Sequence, residues 1–323
     1  MIQSVQQSQN EIGEGMKGKD FLTIDQLSSE EIYYLLKEAE QLKKFQKEGI
    51  PHEELKGKVL GMIFEKSSTR TRVSFEVAML QLGGHALFLS SKDIQLGRGE
   101  TVEDTANVLA GYLDGVMIRT FGHETIERFA KASSVPVING LTDTHHPAQI
   151  LADLLTIIEH KGELNGLKVA YFGDGNNVAH SLIEGAAKVG MHFVIACPSG
   201  YEPDEVILAK ANEVAKENGS FIQVTCDPLE AAKGADVLIT DVWASMGQED
   251  EQVEREGVFE PYQVNKELCI NAHENYIFMH CLPAHRGEEV TADIIDGPHS
   301  VVYQEAENRL HAQKALLKLL LKS

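Results

Sequence analysis

Short runs of apolar residues recur along the chain, and between them apolar and polar positions alternate at helical spacing. The first series of runs is Lys58–Phe64, Ala86–Ser90, Gly115–Arg119 and Val135–Ile138. The second is Leu167–Phe172, His192–Ala196, Phe221–Thr225, Asp236–Thr240 and Tyr276–His280. Runs this short, separated by helical patterns, read as buried strands of parallel sheets joined by right-handed crossovers. The intervening helices include Ser29–Lys47, Thr71–Leu82, Val102–Tyr112, Val178–Val189 and Asp204–Asn218. The pattern therefore predicts an α/β protein with two doubly wound domains built on parallel sheets.

A seam falls at Pro147–Gly162, where Ile150, Leu151, Leu154, Leu155 and Ile158 repeat at helical spacing. Asp143 and Thr144 are candidate caps, Pro147 suits the first turn, and Gly162 suits the stop. This reading gives domains at 1–146 and 147–304, joined by bridging helices. The last helix, Glu305–Lys322, carries Leu310, Leu317 and Leu321 and is expected to pack back on the first domain.

At 323 residues the chain is too long for one ordinary core, in keeping with two domains. Acidic residues outnumber basic ones 49 to 29, a formal charge of -20, which disfavours general binding to nucleic acid or anionic membrane. A site for an anion must therefore gather arginines locally. None of the four cysteines forms a CxxC pair, which reads as reduced thiols of a cytosolic protein. The polar N-terminal stretch has no apolar core, so it reads as a loose tail and neither a leader nor a membrane span.

The segment 64–75 (FEKSSTRTRVSF) follows the first strand and opens a helix. Hydroxyls of Ser68, Thr69 and Thr71, the free amides of a helix start and the planar guanidinium of Arg70 make an anion cradle. A Ser/Thr cap with solvated arginines is the competing reading. Arg119 closes another strand, and His146 and Gln149 (HPAQ) follow the fourth. Residue types like these are common caps or surface groups, but here they share one position, the carboxyl ends of parallel strands. In the second domain, 172–177 (FGDGNN) begins like a dinucleotide fingerprint. Val178 stands where the third glycine belongs, and no acid ends the next strand, so NAD is disfavoured. GxxxxGK[ST] is missing, which excludes a P-loop. Asp241 and Ser245 (DVWASMG) offer a carboxylate for a substrate ammonium, or a simple turn. His280, Cys281 and His285 (HCLPAHR) raise the question of zinc, but no CxxC partner exists and no metal is expected.

STRTR, HPAQ, DVWASMG and HCLP, in this order and each after a strand, resemble the aspartate/ornithine carbamoyltransferase family over nearly the whole chain. HCLP, the D-x-x-x-S-M-G loop and the run 308–315 (NRLHAQKA) resemble its ornithine branch. The resemblance implies carbamoyl transfer from carbamoyl phosphate to the δ-amine of L-ornithine, giving citrulline and phosphate, within arginine metabolism. A relative acting on another amine, such as putrescine or N-acylated ornithine, is the alternative. A dehydrogenase and a non-catalytic phosphate sensor are the rivals of other classes.

By resemblance, Ser68, Thr69, Arg70 and Thr71 bind phosphate, and Gln95 reaches carbamoyl phosphate in a neighbouring subunit. Arg119, His146 and Gln149 surround the carbamoyl group, and Arg309 reaches it from the C-terminal helix. Asn177, Asp241, Ser245 and Met246 hold ornithine, while Cys281 and Leu282 contact the carbamoyl group and the δ-amine. The first domain would then bind carbamoyl phosphate and the second ornithine, and the two are expected to close with the Gly247 loop moving. No cofactor or metal is implied. A cytoplasmic homotrimer, or a multiple of it, is. The residues after HCLP receive no role.

Overall fold

The computed structural model describes residues 11–95, 99–244 and 249–322. Strands β1 (Val59–Phe64), β2 (His85–Ser90), β3 (Gly115–Arg119) and β4 (Val137–Leu141) form one sheet. Strands β5 (Lys168–Phe172), β6 (His192–Ala196), β7 (Ile222–Thr225), β8 (Val237–Thr240) and β9 (Ile277–His280) form the other. Both sheets are wholly parallel, in the orders β2-β1-β3-β4 and β7-β6-β5-β8-β9. The chain reverses its direction of winding between β1 and β3 in the first sheet and between β5 and β8 in the second. Ligands of doubly wound sheets bind at such switch points, outside the carboxyl ends of the strands.

The first sheet is served by α1 (Ser29–Lys47), α2 (Thr69–Gln81), α3 (Val102–Ala110) and α4 (His123–Ala132), followed by α5 (Pro147–Lys161). The second is served by α6 (Asn177–Val189), α7 (Glu205–Glu217), α8 (Pro228–Ala232), α9 (Gln252–Phe259), α10 (Lys266–Cys269) and α11 (Ala292–Ile295). The long α12 (Val302–Leu321) ends the fold. Two compact units result, one up to Leu155 with the residues from Glu307 onward, the other Thr156–Ala306. Both limits fall inside helices, α5 and α12, whereas the sequence pattern sets them at 146/147 and 304/305. A continuous helix carries no break in pattern at the point where its packing partners change.

In the first unit, α12 is tied down by Lys314, whose ammonium donates to the Leu42 carbonyl at 3.4 Å, Gln46 at 3.2 Å and Gln81 at 2.9 Å. Burial pushes this amine down to about 8. The core under β3 includes Ile126, Phe129 and Ala130, spaced so that one stripe of α4 faces inward. Of the N-terminal stretch expected to be loose, residues 1–10 lie outside the described set; residues 11–16 are helical, and Met16 is completely buried.

The β4 strand is displaced from its expected span, and the displacement matters for the site. The run expected as the fourth strand stops at Ile138, just before Asn139 and Gly140. In the structure they lie within β4, because Asn139 is buried and donates to the Leu22 carbonyl at 2.8 Å. Ile118 pairs with Asn139 but Arg119 pairs with Leu141, so Gly140 is the extra residue of a β-bulge. A side chain there would run into Met117. Bulges re-aim the chain at strand ends, and this one lies beside Arg119.

Candidate active site

The first unit assembles cations and helix amides around the β1/β3 switch point. Ser68 caps α2: its hydroxyl accepts from the Thr71 amide at 3.2 Å and donates to the Thr71 hydroxyl at 3.1 Å. Thr69 and Arg70 form the first turn, with Arg70 half-buried. A helix start presents unsatisfied amides and the positive end of the dipole. Arg119, the last residue of β3, is buried, as are His146 and Gln149 at the start of α5. Arg309 comes from α12 and links the pieces: it donates to Thr71 Oγ1 at 3.0 Å and to Gln149 Oε1 at 2.8 Å. Gln149 is held in turn by donating to Asp153 at 2.9 Å.

Burial, and then the charges of Arg309, Arg119 and Arg70, hold the His146 imidazole well below its ordinary value. His146 is therefore neutral at pH 7. It can donate one N–H without adding to the local positive charge. Asp143, expected as a helix cap, instead pairs with Lys66, while α5 starts at Pro147. Lys66 is buried over the Phe121 ring, and its charge is matched by this partner. The net charge for a bound anion thus comes from the three arginines. Gln95 is exposed at the border of residues 96–98, which lie outside the described set.

The second unit builds its constellation at the β5/β8 switch point. Asp241 follows β8 and is 7% exposed. Its two oxygens have separate partners: Oδ2 accepts from Asn176 Nδ2 at 2.9 Å, and Oδ1 accepts from the Cys281 thiol at 3.1 Å. Asn176 also caps α6, its Oδ1 accepting from the amides of Val178 at 3.0 Å and Ala179 at 3.1 Å. The hydroxyl of Tyr171 donates to that same oxygen at 3.2 Å. Burial, then the charges of Asp241 and Asp174, raise the Tyr171 phenol far above its ordinary value, so it stays a donor. The cap also occupies amides that a dinucleotide pyrophosphate would need. The glycines of FGDGNN have backbone reasons: Gly173 has φ 133°, and a side chain on Gly175 would strike Pro203.

Asn177 begins α6 and is half-buried. Cys281 and Leu282 follow β9, and Leu282 holds a left-handed φ of 57°, which costs a residue with a side chain about 1–2 kcal/mol. Both ring nitrogens of His280 are engaged, Nδ1 by the Leu282 amide at 2.9 Å and Nε2 by Glu289 at 3.1 Å. To take a metal, the His280 ring would have to give up one of these two bonds. Ser245, Met246 and Gly247 lie outside the described residues.

Three residues with a part in this geometry escape the sequence reading. Asn176 was overshadowed by its neighbour Asn177, although an Asn directly before a helical run is itself a cap signal. Arg255 is buried and donates to Asp174 at 2.7 Å and to the Trp243 carbonyl at 2.9 Å, joining the loops after β5 and β8. Asp153 shows no sequence signal beyond its helical spacing from Gln149.

Two family models cover the chain: the carbamoyl-P binding domain of aspartate/ornithine carbamoyltransferase over residues 19–159, and its Asp/Orn binding domain over 165–320. The ornithine carbamoyltransferase of Oceanobacillus iheyensis is 61% identical over 306 residues, covering 95% of each chain. That of Bacillus subtilis is 62% identical over 304 residues, covering 94% of each. The solved ornithine carbamoyltransferase of Pyrococcus furiosus superposes with a TM-score of 0.93 at 56% identity, covering 95% of this chain and 98% of that one.

Proposed function

The chain belongs to the aspartate/ornithine carbamoyltransferase family, and from that premise we propose that it carries the carbamoyl group of carbamoyl phosphate to the δ-amine of L-ornithine, giving L-citrulline and phosphate. The observation that carries the reading is the joining of Thr71, Gln149 and Arg309 into one buried cluster beside a neutral His146. That cluster suits a small, doubly charged acyl donor. It lies in the unit matched by the carbamoyl-P binding model.

In this reading Ser68, Thr69, Arg70 and Thr71 hold the phosphate, with the α2 amides behind them. Arg119, His146 and Thr71 donate to the carbonyl oxygen as negative charge develops on it. Gln149 addresses the carbamoyl amide. Arg309 fixes Gln149 and Thr71 relative to one another and adds its own charge. In the second unit Asp241 binds the α-ammonium of ornithine and Asn177 its α-carboxylate, with Ser245 and Met246 beside them. Cys281 and Leu282 line the path of the δ-nitrogen and the carbamoyl group.

Only the neutral δ-amine has a lone pair, and positive charge from the arginines favours that neutral form. Its nitrogen bonds to the carbamoyl carbon, the C–O bond to phosphate breaks, and the phosphate leaves with the amine proton. A separate protein base is then unnecessary. Ornithine is favoured over putrescine because Asn177 addresses an α-carboxylate, which putrescine lacks.

We further propose a homotrimer, or a multiple of it, in the cytoplasm. The edge strand β2 and the neighbouring α2 expose Leu87, Phe88, Val73 and Leu80, the last at 70%. Exposed apolar side chains on these two adjacent elements suit a protein interface. Gln95 follows β2, where it can serve a neighbouring subunit's site. All four cysteines are free thiols, and among the described residues no helix is long and apolar enough to cross a membrane. The reading is tested by incubating the protein with carbamoyl phosphate and L-ornithine: citrulline and phosphate should appear in equal amounts. Phosphate release without citrulline would refute it.

A further inference from the structure

The turn after β9 contains side chains with no part in the reaction derived above. His285 Nδ1 lies 3.4 Å from Glu288 Oε2 and 3.8 Å from Glu289 Oε2. One ligand atom from each of the three residues fits within a sphere of contact no wider than 4.8 Å between atoms. Zinc bonds to imidazole nitrogen and carboxylate oxygen at about 2.0–2.2 Å, so tetrahedral neighbours around it stand roughly 3.3–3.6 Å apart. The two His285 distances lie at or near that span.

Glu289 supplies an independent observation. The residue is completely buried, and its Oε1 accepts from His280 Nε2 at 3.1 Å and from the His285 amide at 2.6 Å. Its Oε2 is buried too, yet it accepts no hydrogen bond. At 3.8 Å the His285 ring nitrogen is too distant to supply one. A buried carboxylate oxygen without a donor is costly, and this one is directed at the ring nitrogen and the second carboxylate. His285 is 47% exposed and Glu288 33%, so the cluster opens to solvent on its other side.

We propose that His285, Glu288 and Glu289 form a binding site for a divalent cation of the zinc class. Three protein ligands and an open, water-filled position make a recognised arrangement for this ion, and imidazole with carboxylate is a ligand set that it accepts. The ion takes no part in carbamoyl transfer. Through Glu289 it bears on His280, whose other nitrogen accepts from the Leu282 amide, so it braces the loop that carries Cys281 and Leu282.

A second group, Asp241, His280 and Cys281, also brings possible ligand atoms together, so the test removes its sulfur first. Zinc is titrated calorimetrically into the full-length Cys281→Ser protein, and into the same protein with His285→Ala or Glu288→Gln added. Both added changes lie at exposed or half-exposed side chains and spare the core. The expected result is a single zinc equivalent bound by Cys281→Ser and a loss of about tenfold or more in affinity in each double variant. Zinc should also raise the melting temperature of Cys281→Ser and leave that of the His285→Ala double variant unmoved. Equal binding by Cys281→Ser and its His285→Ala derivative overturns the proposal. So does binding that disappears with Cys281→Ser alone.

Discussion

Arg70 stands in the first turn of α2, where under the proposed function the helix amides and its own guanidinium would address the same anion. Replacing it with alanine leaves the phosphate of the donor with one fewer charged, bidentate partner. Arg70→Ala should lower kcat/KM for carbamoyl phosphate by roughly 2–5 kcal/mol of transition-state stabilisation. Lysine should rescue poorly, because a point charge cannot reproduce the fork. Near-normal kcat/KM in the alanine variant would remove the anion cradle from the account. His146 works differently, by staying neutral among three arginines. Its folded value is depressed while the unfolded chain titrates near 6.5. The stability that it contributes is therefore present above about pH 6.5 and is lost as the pH falls below, since only the unfolded state takes up the proton. The maximum slope from one such group is about 1.4 kcal/mol per pH unit. Between pH 7.5 and 5.5, urea unfolding of the unaltered protein should therefore show a larger loss of stability than that of His146→Gln, by about 1 kcal/mol. Identical losses would mean that the imidazole is not held neutral.

The helix starts decide which backbone groups remain for substrates. Asn176 spends its side-chain oxygen on the first amides of α6 and its nitrogen on Asp241. Asn176→Ala should cost about 0.5–2 kcal/mol of stability as a lost cap. It should also raise the KM for ornithine, because Asp241 loses a donor. Affinity for carbamoyl phosphate, titrated directly, should stay unchanged; a matching loss there would contradict the separation of the two constellations. Much of this was legible in the sequence, because strand ends in a doubly wound fold are marked by the same apolar runs that define the strands. That is why Arg70, Arg119, His146, Asp241 and Cys281 could each be placed at a carboxyl end from pattern alone. What stayed hidden depends on distant partners. The strand expected to stop at Ile138 runs on through Asn139 and Gly140, where the buried Asn139 amide donates to the Leu22 carbonyl. Arg309 and Thr71 are 238 positions apart, and only the path of α12 joins them. In the sequence, His280, Cys281 and His285 raise the question of zinc together. The fold instead engages the first two elsewhere and turns Glu288 and Glu289 toward the third, a consequence of one tight turn that spacing rules do not describe.

Under the proposed function each substrate belongs to one unit, and each site is completed by a residue of a neighbouring subunit. Inactive Arg70→Ala and Gln95→Ala proteins, dissociated together and reassociated, should recover part of the activity, because some sites then draw both residues from intact halves. Mixed oligomers that form but never exceed either parent would contradict the sharing of sites. The acidic chain, at a formal charge of -20, makes the local arginines the more necessary, since the overall field repels a phosphate dianion. The proposed division of substrates rests above all on Asp241, a carboxylate in the unit that does not hold the arginine cluster. By holding the α-ammonium, as proposed, Asp241 would keep that amine charged and unreactive and set the distance from anchor to δ-nitrogen, so that lysine, one methylene longer, should be disfavoured by about 1–3 kcal/mol or more. The most direct test is steady-state kinetics of Asp241→Asn with ornithine varied, beside calorimetric titration of carbamoyl phosphate into the same protein. The expected result is a raised KM for ornithine, a lowered kcat and nearly unchanged carbamoyl phosphate affinity. An unchanged ornithine KM with weakened carbamoyl phosphate binding would contradict it.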